Sequence, residues 1–131
     1  MVRRVLNIED TIPKHVDIRR ALERCGVPCV DHAETAVDGL DMIEAAIAAG
    51  RPYDLIVSDM YFPMSKGGME VQAGMYVIEE LNARGIDVPV IVCSSARMVI
   101  PEIVGCIHYN PYRNDLDADM REMVDIVRSM K

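Results

Sequence analysis

Apolar residues fall along this chain in short unbroken runs, and between the runs they recur every three or four positions. Five runs read as strands: "RVLNIE", "PCVDHAE", "YDLIVS", "VPVIVCS" and "GCIHYN". The third and fourth are apolar enough to be buried on both faces. Helical spacing predicts a first helix over 12–25, where Ile18, Ala21, Leu22 and Cys25 share a face, Pro13 stands near the start and Gly26 just past the end. A second, over 36–49, repeats Ala36, Leu40, Ile43 and Ile47 and is closed by Gly50. A third, "MYVIEELNARG", turns Ile78 and Leu81 inward and stops at Gly85. The last, over 115–130, carries the clearest stripe: Leu116, Met120, Met123, Val124, Val127 and Met130.

Strands alternating with helices imply right-handed crossovers and a parallel sheet covered on both faces. The expectation is an α/β fold, a doubly wound five-stranded parallel sheet, with residues 1–131 forming one domain undivided by any linker. In such sheets the working site lies beyond the carboxyl ends of the strands. Glu9 and Asp10 follow the first strand, Asp59 the third and Ser94 the fourth, so all four are expected at one rim. Three crowded carboxylates repel and raise one another's pKa, which calls for a cation. A hard divalent ion such as Mg²⁺ suits oxygen ligands. Beside it, Asp59 can serve as a carboxylate nucleophile towards phosphorus, with Ser94 donating a hydrogen bond to a phosphoryl oxygen. The plainer alternative is a solvated acidic rim.

Composition narrows the field. The chain has 131 residues, 50% hydrophobic and 27% charged, the mixture of an ordinary globular domain. Its net charge of −7 repels phosphate backbones, so direct nucleic-acid binding is not expected. The apolar stretch after the first arginines reaches acid too soon for a signal peptide, and no run is long enough to span a bilayer. A cytoplasmic location with no membrane partner follows as the expectation. Of the four cysteines, Cys93 and Cys106 lie in apolar runs and read as buried thiols. Cys25, Cys29 and His32 form C-x3-C-x2-H, a weak metal pattern without an evident fourth ligand. His15, His32 and His108 lack triad-like spacing, and His15 reads as a surface residue of the first helix.

The "ED" pair, the strand-ending acid with a proline four residues on in "DMYFP", the hydroxyl of "PVIVCSS" and the "NPY" after the fifth strand together resemble response-regulator receiver domains of two-component signalling. The resemblance spans essentially the whole chain. It implies a flavodoxin-like sheet of strand order 2-1-3-4-5 and phosphorelay chemistry. Asp59 would accept a phosphoryl group from the histidine of a partner kinase or phosphotransfer protein. Glu9, Asp10, Asp59 and the main-chain carbonyl of Tyr61 would hold Mg²⁺. It further implies a phosphoprotein that assists its own modification rather than a turnover enzyme, acting on a downstream protein and, here, standing alone without an output module.

Three departures from the family pattern stand out. Asn110 occupies the position where the family places a lysine, whose charge-assisted contact with a phosphoryl group is worth roughly 1.5–3 kcal/mol. Lys66 and Arg97 are the substitutes considered. Segment 67–74 looks like an insertion beside the site, either a lid, a pliable partner surface or an indifferent excursion, with Gly67 and Gly74 both able to open the third helix. The stretch between Ser94 and Ile107 contains Pro101, so the fourth helix of the family is expected to be short or absent. Ile107 takes the usual aromatic position, with Tyr109 two residues later.

Two further readings follow. One is a pseudo-receiver that binds a partner without phosphorylation. The other is a hydrolase or phosphotransferase acting on small substrates, disfavoured because Tyr61, not an acid, stands two residues after Asp59. A flavin carrier is set aside, since no phosphate loop follows the first strand.

Overall fold

The computed structural model describes residues 1–96, 98–112 and 115–130. Five strands, β1 (Arg4–Ile8), β2 (Cys29–Ala33), β3 (Leu55–Ser58), β6 (Val90–Ser94) and β7 (Gly105–His108), form one parallel sheet in the order β2-β1-β3-β6-β7. Between β3 and α3 lie two short strands, β4 (Phe62–Pro63) and β5 (Glu70–Val71), which pair antiparallel as a separate ribbon. Leaving the ribbon aside, the sheet has the expected 2-1-3-4-5 order. The helices are α1 (Ile12–Arg24), α2 (Ala36–Ala48), α3 (Ala73–Ala83) and α4 (Leu116–Ser129).

Period-two alternation sorts the strands' side chains onto two faces. Leu6, Ile8, Ile56, Val90 and Val92 pack with Leu40 and Ile43 of α2 and Val77 and Leu81 of α3. Val5, Leu55, Val57, Ile91, Cys93 and Ile107 pack on the other face with Ile18 and Leu22 of α1 and Met120, Val124 and Val127 of α4. Each such side chain, once fully buried, contributes roughly 1.5–3 kcal/mol. Where α2 crosses β1 the approach is close, since a Cβ on Gly39 would lie 2.7 Å from Ile8 Cδ1. Two expected core positions face outward instead: Ile47 and Met130 are exposed, because the inward face of α2 runs through Gly39 and Ala46, and Met130 lies just past the end of α4.

Between β6 and β7 no helix forms among the described residues, as the proline there predicts. Met98, Ile100 and Ile103 cover the α2–α3 face of the sheet in its place. Segment 67–74 belongs to the turn and second strand of the ribbon and to the start of α3. It closes the ribbon, in which Phe62 pairs with Val71 and Pro63 with Glu70. Buried Phe62 and Met60 root it in the core, and Met64 O accepts a 2.9 Å hydrogen bond from Val37 N at the start of α2. Met69 at the far end is exposed.

Of the two candidate glycines, Gly74 lies in the first turn of α3. Its N–H donates to Met60 O at 3.0 Å, and a Cβ there would sit 2.4 Å from Asp59 O. Gly74→Ala should therefore drive α3 off the end of β3 and lower unfolding stability by about 1–3 kcal/mol in urea titrations. An unchanged midpoint would show that the two backbones need not touch.

Candidate metal and phosphoryl site

Parallel pairing carries the strand ends forward together. Just past β1, Glu9 N donates to Ala33 O at 2.8 Å, and just past β3, Asp59 N donates to Ile8 O at 3.0 Å. Ser94 ends β6, the strand beside β3. The result is one cluster in which carboxylate oxygens of Glu9, Asp10 and Asp59 lie within 4.8 Å of one another. The donor set, all carboxylate oxygen and drawn from two strand ends, fits a hard divalent cation.

A cation is already present among these acids, and it comes from an unexpected direction. Lys14, in the first turn of α1, reaches Glu9 Oε1 at 3.0 Å and Asp59 Oδ2 at 3.2 Å, and donates a 2.8 Å hydrogen bond to Cys93 O. Its Nζ also lies 5.1 Å from the centre of the Tyr109 ring. Lys14 is only 7% exposed and Glu9 is fully buried. The Glu9 contact is ionic rather than an aligned hydrogen bond, leaving Oε1 otherwise unsatisfied.

Three carboxylates sharing one ammonium leave the charges unequally compensated. Burial alone would lower the Lys14 pKa, but the charges of Glu9 and Asp59 together hold it above its ordinary value. Burial pushes the Glu9 carboxyl up to about 7, with Lys14 pulling it down and Asp59 pushing it further up. The ammonium is thus held in its charged form, and a bound divalent ion would further favour the ionised form of Glu9 against the cost of its burial. Met60 N donates to Asp59 Oδ1 at 2.7 Å, fixing the remaining oxygen of that carboxylate.

The other expected residues are placed as follows. Ser94 is buried, and its Oγ accepts from Ala96 N at 3.3 Å. Tyr61 is half-exposed, and its hydroxyl accepts from Gln72 Nε2 at 3.2 Å. Asn110 Oδ1 accepts from Tyr112 N at 2.9 Å, so it shapes its own turn. Lys66 is exposed at the turn of the ribbon, and Arg97 lies outside the described residues. Glu70 was not anticipated; the ribbon brings it beside Asp10, whose charge raises the Glu70 pKa. Among the described residues Cys25, Cys29 and His32 form no metal-ligating group, and all four cysteines are free.

His15 is not at the surface; it is 7% exposed. Buried Asn7 donates through Nδ2 to Val57 O at 2.9 Å, which leaves Asn7 Oδ1 to accept from His15 Nδ1 at 2.7 Å. His15 in turn stacks on His32 with ring centres 3.7 Å apart, and His32 Nε2 donates to Glu9 O at 2.6 Å. This chain of contacts ties α1, β1, β2 and β3 together directly beneath the acids.

Comparison with known proteins follows the same lines. No protein-family model matches the chain, and no curated protein matches it. Solved structures do. A DNA-binding response regulator of the LuxR family from Staphylococcus aureus superimposes with a TM-score of 0.72 at 14% identity, covering 98% of this chain and 100% of the other. The phosphorylated cyanobacterial phytochrome response regulator RcpA gives 0.74 at 17% identity, covering 98% and 96%. The Mn²⁺-bound form of response regulator Rcp1 gives 0.73 at 12% identity, covering 98% and 97%. The fold is that of response-regulator receiver domains. No helix among the described residues is long and apolar enough to cross a membrane.

The buried histidine makes a pH prediction. Burial, the neighbouring His32 and Arg19 lower the His15 pKa from 6.5 to about 4. The unfolded chain therefore takes up this proton first, and the His15 contribution is present above pH 6.5 and lost as pH falls towards 4. Glu9 acts oppositely, because its raised pKa makes the folded state hold a proton more firmly, so its contribution declines as pH rises towards 7. Comparing the protein with His15→Gln isolates the histidine. The difference between their thermal midpoints should shift against the parent protein between about pH 7 and about pH 5. A difference independent of pH would show that His15 does not titrate in this window.

Proposed function

We propose that this chain is a phosphoryl-accepting receiver of a phosphorelay, with Asp59 as the acceptor. The observation that supports the reading best is the clustering of Asp59 with Glu9 and Asp10 within 4.8 Å at the strand ends of a receiver fold. In the transfer, one Asp59 carboxylate oxygen forms a bond to phosphorus as the bond from phosphorus to the donor's histidine nitrogen breaks. The electron pair leaves with the imidazole, which is protonated from solvent. Glu9, Asp10, Asp59 and the main-chain carbonyl of Tyr61 would hold Mg²⁺, whose charge offsets that of the phosphoryl oxygens. Ser94, at the end of β6, would donate its hydroxyl to one of those oxygens, and Asn110 would border the pocket from the β7 side. The partner supplying the group would be a histidine kinase or a phosphotransfer protein, and the protein would act as a cytoplasmic switch or carrier rather than a turnover enzyme. The likeness to a phosphorylated receiver and to a Mn²⁺-bound one supports both halves of this reading.

A second reading, a pseudo-receiver that binds its partner without phosphorylation, draws on Lys14, which already pairs with two of the three acids. Incubation with acetyl phosphate and Mg²⁺, followed by intact mass, separates the two. The expected result is a single phosphoryl adduct that is absent from Asp59→Asn. No adduct on the parent protein, under conditions that modify an ordinary receiver, would favour the pseudo-receiver.

A further inference from the structure

Asn110 stands where the resemblance calls for a lysine, and its side-chain oxygen is committed to Tyr112 N. The positive charge has not been lost from the pocket, because Lys14 Nζ lies among Asp59 Oδ2, Glu9 Oε1 and Cys93 O, all within 3.2 Å. Those three partners belong to the ends of β3, β1 and β6, and Tyr109, the residue before Asn110, lies over the same ammonium. Lys14 thus brings from α1 the charge that, under the family resemblance, a lysine at position 110 would bring from the β7 side.

Resting on the phosphorelay reading above, we infer that Lys14 is the catalytic cation of this site, the group that binds the phosphoryl oxygens as they arrive on Asp59. The ammonium donates to Cys93 O and lies within 3.2 Å of a carboxylate oxygen of Glu9 and of Asp59. When Asp59 forms its bond to phosphorus, that carboxylate gives up its negative charge and a phosphoryl oxygen takes over the ion pair that Asp59 Oδ2 made with Lys14. No proton has to move at Lys14. Charge balance favours the same assignment. With the acids ionised, three carboxylates and one ammonium leave two negative charges, those a single divalent ion offsets. An exposed lysine would contribute little of this. Lys14 is 7% exposed, so water does not screen its contacts, and its position is set by the fold before any donor arrives.

The experiment compares the parent protein, Asp59→Asn, Lys14→Met and the double variant Lys14→Met with Asn110→Lys. Each is treated with acetyl phosphate and Mg²⁺ and followed by intact mass, and each is titrated with Mg²⁺ alone by calorimetry. Lys14→Met should accept the phosphoryl group at least about 10-fold more slowly than the parent. It should also bind Mg²⁺ as tightly or more tightly, because a competing positive charge has been removed. Adding Asn110→Lys should restore most of the rate by returning the ammonium from the other side. This combination, slower transfer with undiminished metal binding, is not produced by a residue that only supports the fold. If Lys14→Met unfolds, Lys14→Gln takes its place, keeping the hydrogen bond to Cys93 O while removing the charge.

Transfer at the parent rate in the Lys14 variant, with the Asp59-dependent adduct intact, would overturn the role of Lys14 and leave the phosphorelay reading standing. Joint loss of Mg²⁺ binding and transfer without recovery by Asn110→Lys would also overturn it. Absence of any adduct on the parent protein would overturn the phosphorelay reading, and this inference with it.

Discussion

The buried ammonium of Lys14 is the contact around which the site is organised. Parallel register brings Glu9 and Asp59 to the same rim of the sheet, and their main-chain N–H groups are fixed by the carbonyls of the adjoining strands. The ladder thus holds the main chain of both acids at that rim. Left alone, the carboxylates would face one another in a partly buried pocket, where like charges interact far more strongly than at an exposed surface. Lys14 relieves part of this and pulls the Glu9 pKa down, while burial first, and Asp59 after it, push that carboxyl up to about 7.

Holding a lysine there imposes demands on α1. The N-terminal turn of a helix carries partial positive charge and ordinarily favours acids. Here that turn has no acidic residue and its N-cap, Thr11, makes no side-chain cap hydrogen bond. The turn instead carries Lys14, and the acids that compensate the helix end come from the sheet. Thr11 N donates to Glu9 Oε2 at 3.2 Å, so the same carboxylate serves both the helix terminus and, through its other oxygen, the ammonium. The next residue, His15, fixes the orientation of that turn through Asn7, and His32 holds the Glu9 carbonyl. Pocket and helix start are therefore one structure.

Much of this was legible in the chain and some was not, for identifiable reasons. The strands, and the lack of a helix among the described residues between β6 and β7, follow from apolar runs and from Pro101. Glu9, Asp10 and Asp59 were found because residues just past parallel strands must share an edge. The ribbon escaped notice because its strands are only two residues each, too short for alternation to register. Lys14 was overlooked because substitutes for a strand-end lysine were sought in the loops at that rim. A signal was present nonetheless: Lys14 lies one helical turn before Ile18, on the stripe that continues through Ala21, Leu22 and Cys25, and a lysine on a buried stripe needs a buried partner. His15 was misread for a related reason. A histidine beside that stripe looks solvated until Asn7, an amide in the middle of a buried strand, is recognised as needing a partner of its own.

Lys14 also ties Asp59 to α1, since its Nζ lies 3.2 Å from Asp59 Oδ2. Under the family resemblance a lysine would approach the acids from position 110, on the β7 side. Lys14 is instead rigidly part of α1, and on the following turn Asp17 accepts a 2.7 Å hydrogen bond from the hydroxyl of Tyr109, whose ring covers the ammonium. A change in charge at Asp59 therefore acts on a closed circuit of Lys14, Tyr109 and Asp17 joining α1 to the end of β7. The aromatic residue is engaged through its contact with the relocated cation, while the β6–β7 segment, which has no described helix to shift, covers the sheet with Met98, Ile100 and Ile103. Lys14, Tyr109 and Asp17 thus link the acids at the ends of β1 and β3 to the α1 side of the sheet.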